Sequence, residues 1–412
     1  MIPAAGGPRS PTRRGYLIQN PTWNAVFRAM DGLLAACLGQ PRATRIGPPR
    51  RILLSNGAHL GDVVISTAVL PVLRSAFPEA EIGFLAGSWS EPVLRGHPLV
   101  ARTHRVDHWR AIREPMAPAA KLRRYLSTRR RALAELRAAR YDVAVELYSY
   151  FPNQIALLWQ AGIPVRVGYA SSGFGPLLTH ALPFEHKGLH EAQYQLRLLE
   201  VLPLPAGSPE RLAMVLRDPL PEGVADVSRV LEALPRPFAP YRVLHMGTSG
   251  SRRREWPPER WRVLAERLVA QGCQLLFTGL GEHEAQLARE AARGLPGCAN
   301  ACDRLGWEGF LAALRGAEVV YSAETSAGHI AAAYGVPVVT IRGAMHDPAR
   351  WSPRGEACAV ATHPVPCAPC HRREGCEGME CLREVSPEAA HRAGEALLAG
   401  CEPRRAALGR GR

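Results

Sequence analysis

The fold of this 412-residue chain is decided by residues 51–87, RILLSNGAHLGDVVISTAVLPVLRSAFPEAEIGFLAG. A short apolar run at 51–55 predicts a buried strand, a turn with two glycines follows, and an apolar helical pattern covers 63–77. A second apolar run at 81–87 predicts the next strand. A strand, a helix and a strand in this order are typical of a parallel sheet that is covered by helices on both faces.

The same unit starts again near residue 241, where YRVLHMG predicts a strand, PPERWRVLAERLVAQG a helix and QLLFTG another strand. We therefore expect an α/β protein with two Rossmann-like, doubly wound parallel-sheet domains that face each other across a cleft. Proline-rich residues 202–223 suit the approach to a linker. The predicted segments are an N-terminal extension (1–48), a first domain (49–225), a second domain (226–385) and a C-terminal helix with a basic tail (386–412).

The composition is that of a globular protein, with 47% hydrophobic and 21% charged residues. A net charge of +14 indicates an anionic partner, although an arginine-rich coding bias would explain it equally well. Nucleic acid is not expected, because the interleaved aromatic residues of a single-strand binder are missing. The chain has no apolar run of about 20 residues and no signal-peptide pattern, so we expect a cytoplasmic protein.

Residues 22–38, TWNAVFRAMDGLLAACL, predict an amphipathic helix within the N-terminal extension. Two interpretations stay open for its apolar face. The helix either attaches to the inner face of the cytoplasmic membrane, as a peripheral contact, or packs on its own domain.

The first candidate site is the loop between the strand and the helix of the deciding stretch. Gly57 and Gly61 allow the backbone to approach a ligand, and the helix N-terminus offers free N–H groups. Asp62, at the mouth of that helix, could take a proton from an attacking hydroxyl, and His59 lies in the same loop. The alternative role for Asp62 is to cap the helix.

Three further candidate sites follow strands of the second half. Hydroxyls and arginines after residue 247 suit a diphosphate, small residues after residue 323 let phosphate and sugar approach a helix N-terminus, and an acid after residue 279 could bind ribose hydroxyls. The alternatives are a solvated basic loop and an interior histidine. The residues concerned are Thr248, Ser249, Arg254, Glu284, Glu324, Thr325, Ser326 and His329.

In this order, the four sites resemble those of glycosyltransferase family 9, the bacterial heptosyltransferases of lipopolysaccharide assembly. The resemblance covers roughly residues 50–385 and is most specific in AETSAGHIAAAYGVPVVTIRGAMHDPARWSPRG (323–355). It also shows in the Gly61-Asp62 loop and in Arg-x-Trp-Pro at 254–257. The resemblance implies the GT-B fold and metal-independent, inverting transfer of a sugar from a nucleotide-diphospho-sugar to a hydroxyl of a glycan or glycolipid acceptor.

The resemblance also implies a role for each matching residue. Asp62 resembles the family's proposed catalytic base, with Gly57, His59 and Gly61 on the acceptor side. The donor-side matches are Thr248, Ser249 and Arg254 at the diphosphate, Glu284 at the ribose, Glu324, Thr325 and Ser326 at the sugar and phosphates, and His329 at the family histidine.

Three of these positions depart from the family pattern. Arg254 stands where the family usually has lysine, Glu324 replaces aspartate and Ser326 replaces glycine. ADP-heptose is the family's default donor. Two alternatives to the transferase are a nucleotide-sugar epimerase or hydrolase of GT-B shape and a non-catalytic basic adaptor.

A cysteine cluster with the spacing C-x2-C-x5-C-x4-C lies near the end of the second predicted domain. Four thiolates at such spacing can hold a structural zinc or iron, and one branch of the resembled family binds iron through such cysteines. The alternative is a reduced loop without metal. The residues are Cys367, Cys370, Cys376 and Cys381.

Overall fold

Two six-stranded parallel sheets organise the computed structural model, as the sequence predicts. The structure describes residues 16–17, 20–39, 46–205, 212–237, 239–248, 250–372 and 374–408. The strand orders are β3-β2-β1-β4-β5-β6 and β12-β11-β10-β7-β8-β9, so the two sheets share one topology. In each sheet the order reverses between two central neighbours, β1 and β4 or β7 and β10, and the crevice at this point is where ligands bind in such folds.

The first sheet consists of β1 (Arg51–Asn56), β2 (Glu81–Ala86), β3 (Arg102–Arg105), β4 (Val143–Glu146), β5 (Val165–Tyr169) and β6 (His180–Leu182). Its helices are α1 (Pro21–Leu38), α2 (Leu60–Ser66), α3 (Leu70–Ala76), α4 (Glu91–Leu94), α5 (Pro118–Ala139), α6 (Ile155–Gln160) and α7 (Glu191–Leu199). The helix expected over 63–77 is divided into α2 and α3 by a 3-10 turn at Thr67–Val69. Pro71 explains the break, because it has no N–H to continue the helical hydrogen bonds.

The second sheet consists of β7 (Tyr241–His245), β8 (Gln274–Thr278), β9 (Cys298–Asn300), β10 (Val320–Ala323), β11 (Val338–Ile341) and β12 (Cys358–Ala361). The accompanying helices are α8 (Pro221–Leu231), α9 (Pro258–Ala270), α10 (Glu282–Ala292), α11 (Trp307–Arg315), α12 (Ser326–Ala333), α13 (Pro348–Trp351), α14 (Glu380–Arg383) and α15 (Pro387–Leu408).

The central strands are buried on both faces, which explains why their sequences are continuously apolar. Ile52, Leu53 and Leu54 in β1 have no solvent exposure, and the same holds for Val338 and Val339 in β11. Side chains that alternate along each strand therefore enter two hydrophobic layers, one on either side of the sheet.

The division between the halves stays a proposal. The boundary expected at 225–226 falls inside α8, and α8 packs on α11 of the second half. We therefore propose that the second domain begins ahead of α8. The C-terminal α15 packs on α9, β11 and β12, so it also belongs with that half.

The predicted amphipathic helix is present as α1. It begins with Pro21 after the N-cap Asn20, whose side chain accepts a hydrogen bond from the Trp23 N–H. Phe27 is the buried residue of the helix and packs against the ring of Phe151 at a centroid distance of 4.9 Å. None of the helices within the described residues combines the length and the apolar character needed to cross a membrane.

Candidate functional site

Asp62 lies in the first turn of α2, directly after the carboxyl end of β1. Its side chain accepts a hydrogen bond from the His59 N–H at 3.1 Å, which closes a capping box. The pKa of Asp62 is raised to about 6: burial is the largest cause and the charge of Glu191 adds to it, while the His59 N–H and Arg113 oppose the increase. Asp62 thus caps the helix and is also a stronger base than an ordinary aspartate.

The two halves of the chain meet at Gly61. A Cβ atom at this position would lie 3.6 Å from Cδ2 of His329 and 3.7 Å from Cα of Ser326, so α2 and α12 are in van der Waals contact. The residue next to Asp62 in the first half therefore touches the segment of the second half in which the sequence predicts a sugar and phosphate site.

The first turn of α12 offers unsatisfied backbone N–H groups to this crevice. Thr325 is the N-cap residue, but its side chain makes no capping hydrogen bond and instead lies 3.2 Å from the Ser322 hydroxyl. Thr325 and Ser326 are both partly exposed. An uncapped helix N-terminus with two hydroxyls favours an anionic group such as a phosphate.

Glu324 precedes this turn and is held by two cationic or hydrogen-bonding side chains. Its Oε1 lies 3.1 Å from Nη2 of Arg342 and 3.3 Å from Nδ1 of His346. Burial opposes its ionisation, but the hydrogen bond with His346 and the charges of Arg342 and Arg254 together lower the pKa of Glu324. The carboxylate is therefore ionised at neutral pH and fixed in place.

Arg254, in the segment after β7, lies beside Glu324 at a small pocket of the second half. Together with Glu324, Arg342 and Met345 it lines the pocket, and its charge acts on Glu324. Within the described ranges, no hydrogen bond or ion pair holds its guanidinium group, so the group can turn to an incoming anion. The preceding Thr248 has a buried hydroxyl without a hydrogen-bond partner among the described residues, whereas Ser249 lies outside those residues.

Glu284 occupies a space that only glycines leave open. Its carboxyl carbon would lie 1.9 Å from a Cβ at Gly247, and its Oε2 2.5 Å from a Cβ at Gly279. The Leu280 N–H donates to Oε2 at 2.8 Å. Burial raises the pKa of Glu284 and this hydrogen bond lowers it. The side chain is thereby directed to the carboxyl ends of β7 and β8.

We predict that Gly247→Ala acts on Glu284 rather than on the backbone of β7. Since the new Cβ would overlap the carboxylate, Glu284 must leave its position, and a ribose-binding role would be lost with it. Isothermal titration with ADP should then give a weaker Kd for Gly247→Ala, by about tenfold for one lost hydrogen bond to a charged group. Glu284→Gln, which keeps the shape, should show a smaller loss. Unchanged affinity in both variants would remove Glu284 from the nucleotide site.

His329 is a neutral histidine at the floor of the crevice. Burial lowers its pKa to about 3, with the nearby His190 adding to the effect. Its Nδ1 has no hydrogen-bond partner among the described residues although the ring is buried. A buried polar atom of this kind costs free energy unless a ligand satisfies it, so the ring is compatible with the donor-side role as well as with an interior position.

Gly57 and His59 lie in the loop before α2, which the sequence predicts to be on the acceptor side. A Cβ at Gly57 would lie 2.7 Å from Nε2 of Gln154, so this glycine makes room for a neighbouring side chain. The His59 ring lies 6.2 Å from the ring of Trp89, and Trp89 Nε1 donates to the Ala58 carbonyl at 2.5 Å.

Sequence reasoning missed a buried ion pair between the two halves. Arg350 from α13 donates through Nε to Glu191 of α7 at 2.7 Å and through Nη2 to the Ser149 hydroxyl at 3.2 Å. The rings of Tyr150 and Trp351 surround the guanidinium, with centroids 5.0 and 5.2 Å away. The sequence signal was an acid at the first turn of a helix, which is too common to mark an inter-domain contact.

A second missed group is Glu146, which ends β4 beside β1 at the point where the strand order reverses. The Ser55 hydroxyl and the Gln154 N–H donate to its Oε2 at 2.8 and 3.0 Å. Burial raises the pKa of Glu146 to about 8, so this carboxyl is protonated at neutral pH. It joins β1, β4 and the start of α6 below the Asp62 loop.

The predicted metal centre at the cysteine cluster is not supported. The thiols of Cys367, Cys370 and Cys376 lie close enough to Cys381 to raise its pKa, although burial is the larger cause. All four are free thiols. Nevertheless, no group of three or more His, Cys, Asp or Glu side chains within the described part of the chain is arranged to hold a metal ion.

Comparisons with known proteins agree with this arrangement. Lipopolysaccharide heptosyltransferase 1 of Pseudomonas aeruginosa is 26% identical over 336 residues, which are 78% of this chain and 86% of the relative. Lipopolysaccharide heptosyltransferase 2 of Escherichia coli is 24% identical over 310 residues, 71% of this chain and 82% of the relative.

Solved structures show the same fold. A family 9 glycosyltransferase from Veillonella parvula matches with a TM-score of 0.69 and 19% identity, covering 87% of this chain and 99% of that one. The E. coli heptosyltransferase WaaC with ADP matches with a TM-score of 0.63 and 20% identity, covering 84% and 99%. The predicted two-sheet α/β fold is thereby confirmed.

The family itself follows from a model described as glycosyltransferase family 9 (heptosyltransferase), which matches residues 129–379, more than half of the chain. The comparisons do not support the epimerase, hydrolase or non-catalytic adaptor. The chain therefore belongs to glycosyltransferase family 9.

Proposed function

We propose that this glycosyltransferase moves a heptose from ADP-heptose to a hydroxyl of a lipopolysaccharide-like acceptor. Its relatives carry the name lipopolysaccharide heptosyltransferase, and a related structure was solved with ADP. The observation that carries the proposal is the packing of α2 on α12, so close at Gly61 that an added Cβ would contact Ser326 and His329. This packing supports a crevice shared by the candidate base, Asp62, and the candidate phosphate site.

Asp62 is the proposed catalytic base. With a pKa of about 6 its carboxylate is largely ionised at pH 7, yet more basic than a solvated aspartate. It would take the proton of the acceptor hydroxyl as the oxygen attacks the anomeric carbon from the face opposite the diphosphate, so that the configuration inverts.

The proposed donor side supplies positive charge to the departing diphosphate. Arg254, the hydroxyls of Thr325 and Ser326, and the N-terminal N–H groups of α12 would stabilise the negative charge that develops on the leaving oxygen. We propose that these groups, rather than a metal ion, perform this task. Glu324, held by Arg342, would accept hydrogen bonds from sugar hydroxyls, and Glu284 would do so from the ribose.

The donor assignment is open to a direct experiment. A thermal-shift screen against ADP-, GDP-, UDP- and dTDP-sugars should give the largest increase in Tm with ADP-heptose, because a ligand that binds only the folded state stabilises it. Mass spectrometry of the product should then show an acceptor that is heavier by one heptose. A larger shift with another nucleotide, or free sugar formed without an acceptor, would contradict the proposal.

The pH dependence of kcat/KM should report the ionisation of Asp62. Only the carboxylate can accept a proton, and its pKa is raised to about 6, so activity should be lost as the pH falls through about 6 and be level above it. Initial rates between pH 4.5 and about 8 would show this limb. The residual activity of Asp62→Asn should not show this loss at low pH. A midpoint near pH 4, the ordinary value for aspartate, would argue against a buried base.

We also propose that the reaction takes place at the cytoplasmic face of the inner membrane. The acceptor class named by the relatives is a glycolipid, and the exposed apolar residues of α1 suit a peripheral contact.

A further inference from the structure

Two residues of the proposed donor site have sequence neighbours that are joined by an ion pair. Nε2 of His283 lies 3.0 and 2.9 Å from the two carboxylate oxygens of Glu255. Glu255 directly follows Arg254, and His283 directly precedes Glu284. The contact therefore connects the turn that carries the proposed diphosphate arginine with the helix α10, which carries the proposed ribose acid.

The two donor-side side chains lie against one short stretch of backbone after β7. The carboxyl group of Glu284 fills the space in front of Gly247, where an added Cβ would overlap it. Further along the same stretch, Nη1 of Arg254 lies 3.6 Å from the position of a Cβ on Gly250. Thr248, between these glycines, has a buried hydroxyl without a partner among the described residues. The stretch thus lies at both proposed donor subsites.

The start of α10 is held from two sides. On the side of β9, the Gly281 N–H donates to the Asp303 carboxylate at 2.6 Å. On the side of β7, His283 pairs with Glu255. The first contact fixes the helix to the segment after β9, and the second fixes the turn after β7 to the helix.

A contribution to folding alone is the alternative role for this pair. The chain after Glu255 already has a strong anchor, because Trp256 is buried, donates through Nε1 to the Val385 carbonyl at 3.2 Å and packs on Trp261. The pair itself is partly exposed, with 35% of the His283 side chain and 13% of the Glu255 side chain accessible. Such ion pairs add little to the free energy of unfolding. A role in the local geometry therefore explains the contact better.

The charges of the pair also act on the ribose acid. Burial is the largest cause that raises the pKa of Glu284, the charge of Glu255 adds to it, and the charge of His283 opposes it. His283→Ala alone would leave Glu255 as a negative charge without this partner, close to the proposed anionic ligand. A double variant is needed to separate this effect of charge from the effect of geometry.

We infer that Glu255 and His283 are positioning residues that hold the ribose acid and the diphosphate arginine at a fixed separation. The inference rests on the proposed function, because it takes Glu284 and Arg254 as donor ligands. A nucleoside diphosphate engages both of them, whereas a nucleoside or a free diphosphate engages one. Fixing two binding groups in advance lowers the entropic cost for a ligand that bridges them. The pair thus favours a ligand in which ribose and diphosphate are joined.

The inference is tested with the full chain and three probes: ADP, adenosine and inorganic pyrophosphate. Calorimetry should show that His283→Ala and Glu255→Ala each weaken ADP binding by about fivefold, the upper range for a partly exposed pair. The double variant should lose no more than the weaker single variant, since the interaction is already absent there. In ligand-observed NMR, its affinities for adenosine and pyrophosphate should stay within about twofold of the parent, because each probe uses one end of the site.

Two further variants serve as rescue and control. His283→Gln places an amide nitrogen near the position of Nε2, so it can still donate to Glu255 and should recover part of the ADP affinity. Arg289→Ala breaks an exposed ion pair of the same helix, with Glu282, and should bind ADP like the parent.

Additive losses of ADP affinity in the double variant would overturn the inference, because the two residues would then act independently. A loss of adenosine binding as large as that of ADP binding, or a large fall in Tm, would assign the pair a merely structural role. A parent protein that prefers another nucleoside diphosphate would contradict the donor assignment instead, and the same variants measured with that nucleotide would still decide on the pair.

Discussion

Replacing Asp62 with asparagine is expected to lower kcat by roughly two to four orders of magnitude, the usual contribution of a general base. Asparagine has the same shape, and its carbonyl oxygen can still accept the hydrogen bond that the His59 N–H donates to Asp62 at 3.1 Å. The helix cap should therefore survive while the proton acceptor is lost. The measurement is transfer at saturating donor and acceptor, with ADP binding followed by calorimetry.

Glu81→Gln is the matched control for this substitution. Glu81 is the first residue of β2 and pairs with Arg102. It lies at the amino end of the strands, whereas Asp62 follows the carboxyl end of β1. The same change from carboxylate to amide should leave kcat unaltered there. If Asp62→Asn transferred sugar at the parent rate, Asp62 would be only a capping residue.

Replacing Arg254 with alanine is expected to weaken the binding of ADP by roughly 30-fold, which corresponds to about 2 kcal/mol for a hydrogen bond to a charged group. Arg254 lines the pocket beside Glu324, and no other described side chain engages its guanidinium. The loss should also appear in kcat, because the charge on the diphosphate grows as the bond to the sugar breaks.

Two further variants give this prediction its controls. Arg252→Ala removes the same charge from the same 3-10 turn, Arg252–Arg254, but Arg252 is exposed and does not line the pocket, so its effect should be small. Arg254→Lys restores the family's usual residue and should recover part of the affinity as a point charge. Equal losses for Arg252→Ala and Arg254→Ala would indicate a general electrostatic effect instead of a specific contact.

The fold could be predicted from the sequence where strands are buried on both faces. Apolar runs such as 51–55 and 241–247 predict the central strands β1 and β7. The edge strands β3 and β6 were not predicted. Strand β3 (Arg102–Arg105) is polar, and strand β6 (His180–Leu182) is only three residues long. An edge strand gains its structure from pairing with a neighbour, which local composition does not show.

The candidate site was predictable where residues lie in the segments that follow central strands. Asp62, Arg254 and Glu324 come after β1, β7 and β10, and two parallel sheets place such segments at their carboxyl edges. Their partners were not predictable in the same way. Arg342 and His346 approach Glu324 from another strand and loop. These contacts depend on how chain segments come together in space, and no local pattern marks them.

The buried pair of Glu191 and Arg350 protects the sugar donor from hydrolysis in the opened crevice. Both side chains are buried between the halves, and separating the halves would expose them to water together. The same motion would hydrate Asp62, and burial is the largest cause that raises its pKa. An opened molecule would thus hold a less basic aspartate. A sugar donor that binds before the acceptor would therefore meet water only while Asp62 is a poor base. Little of the donor would then be hydrolysed.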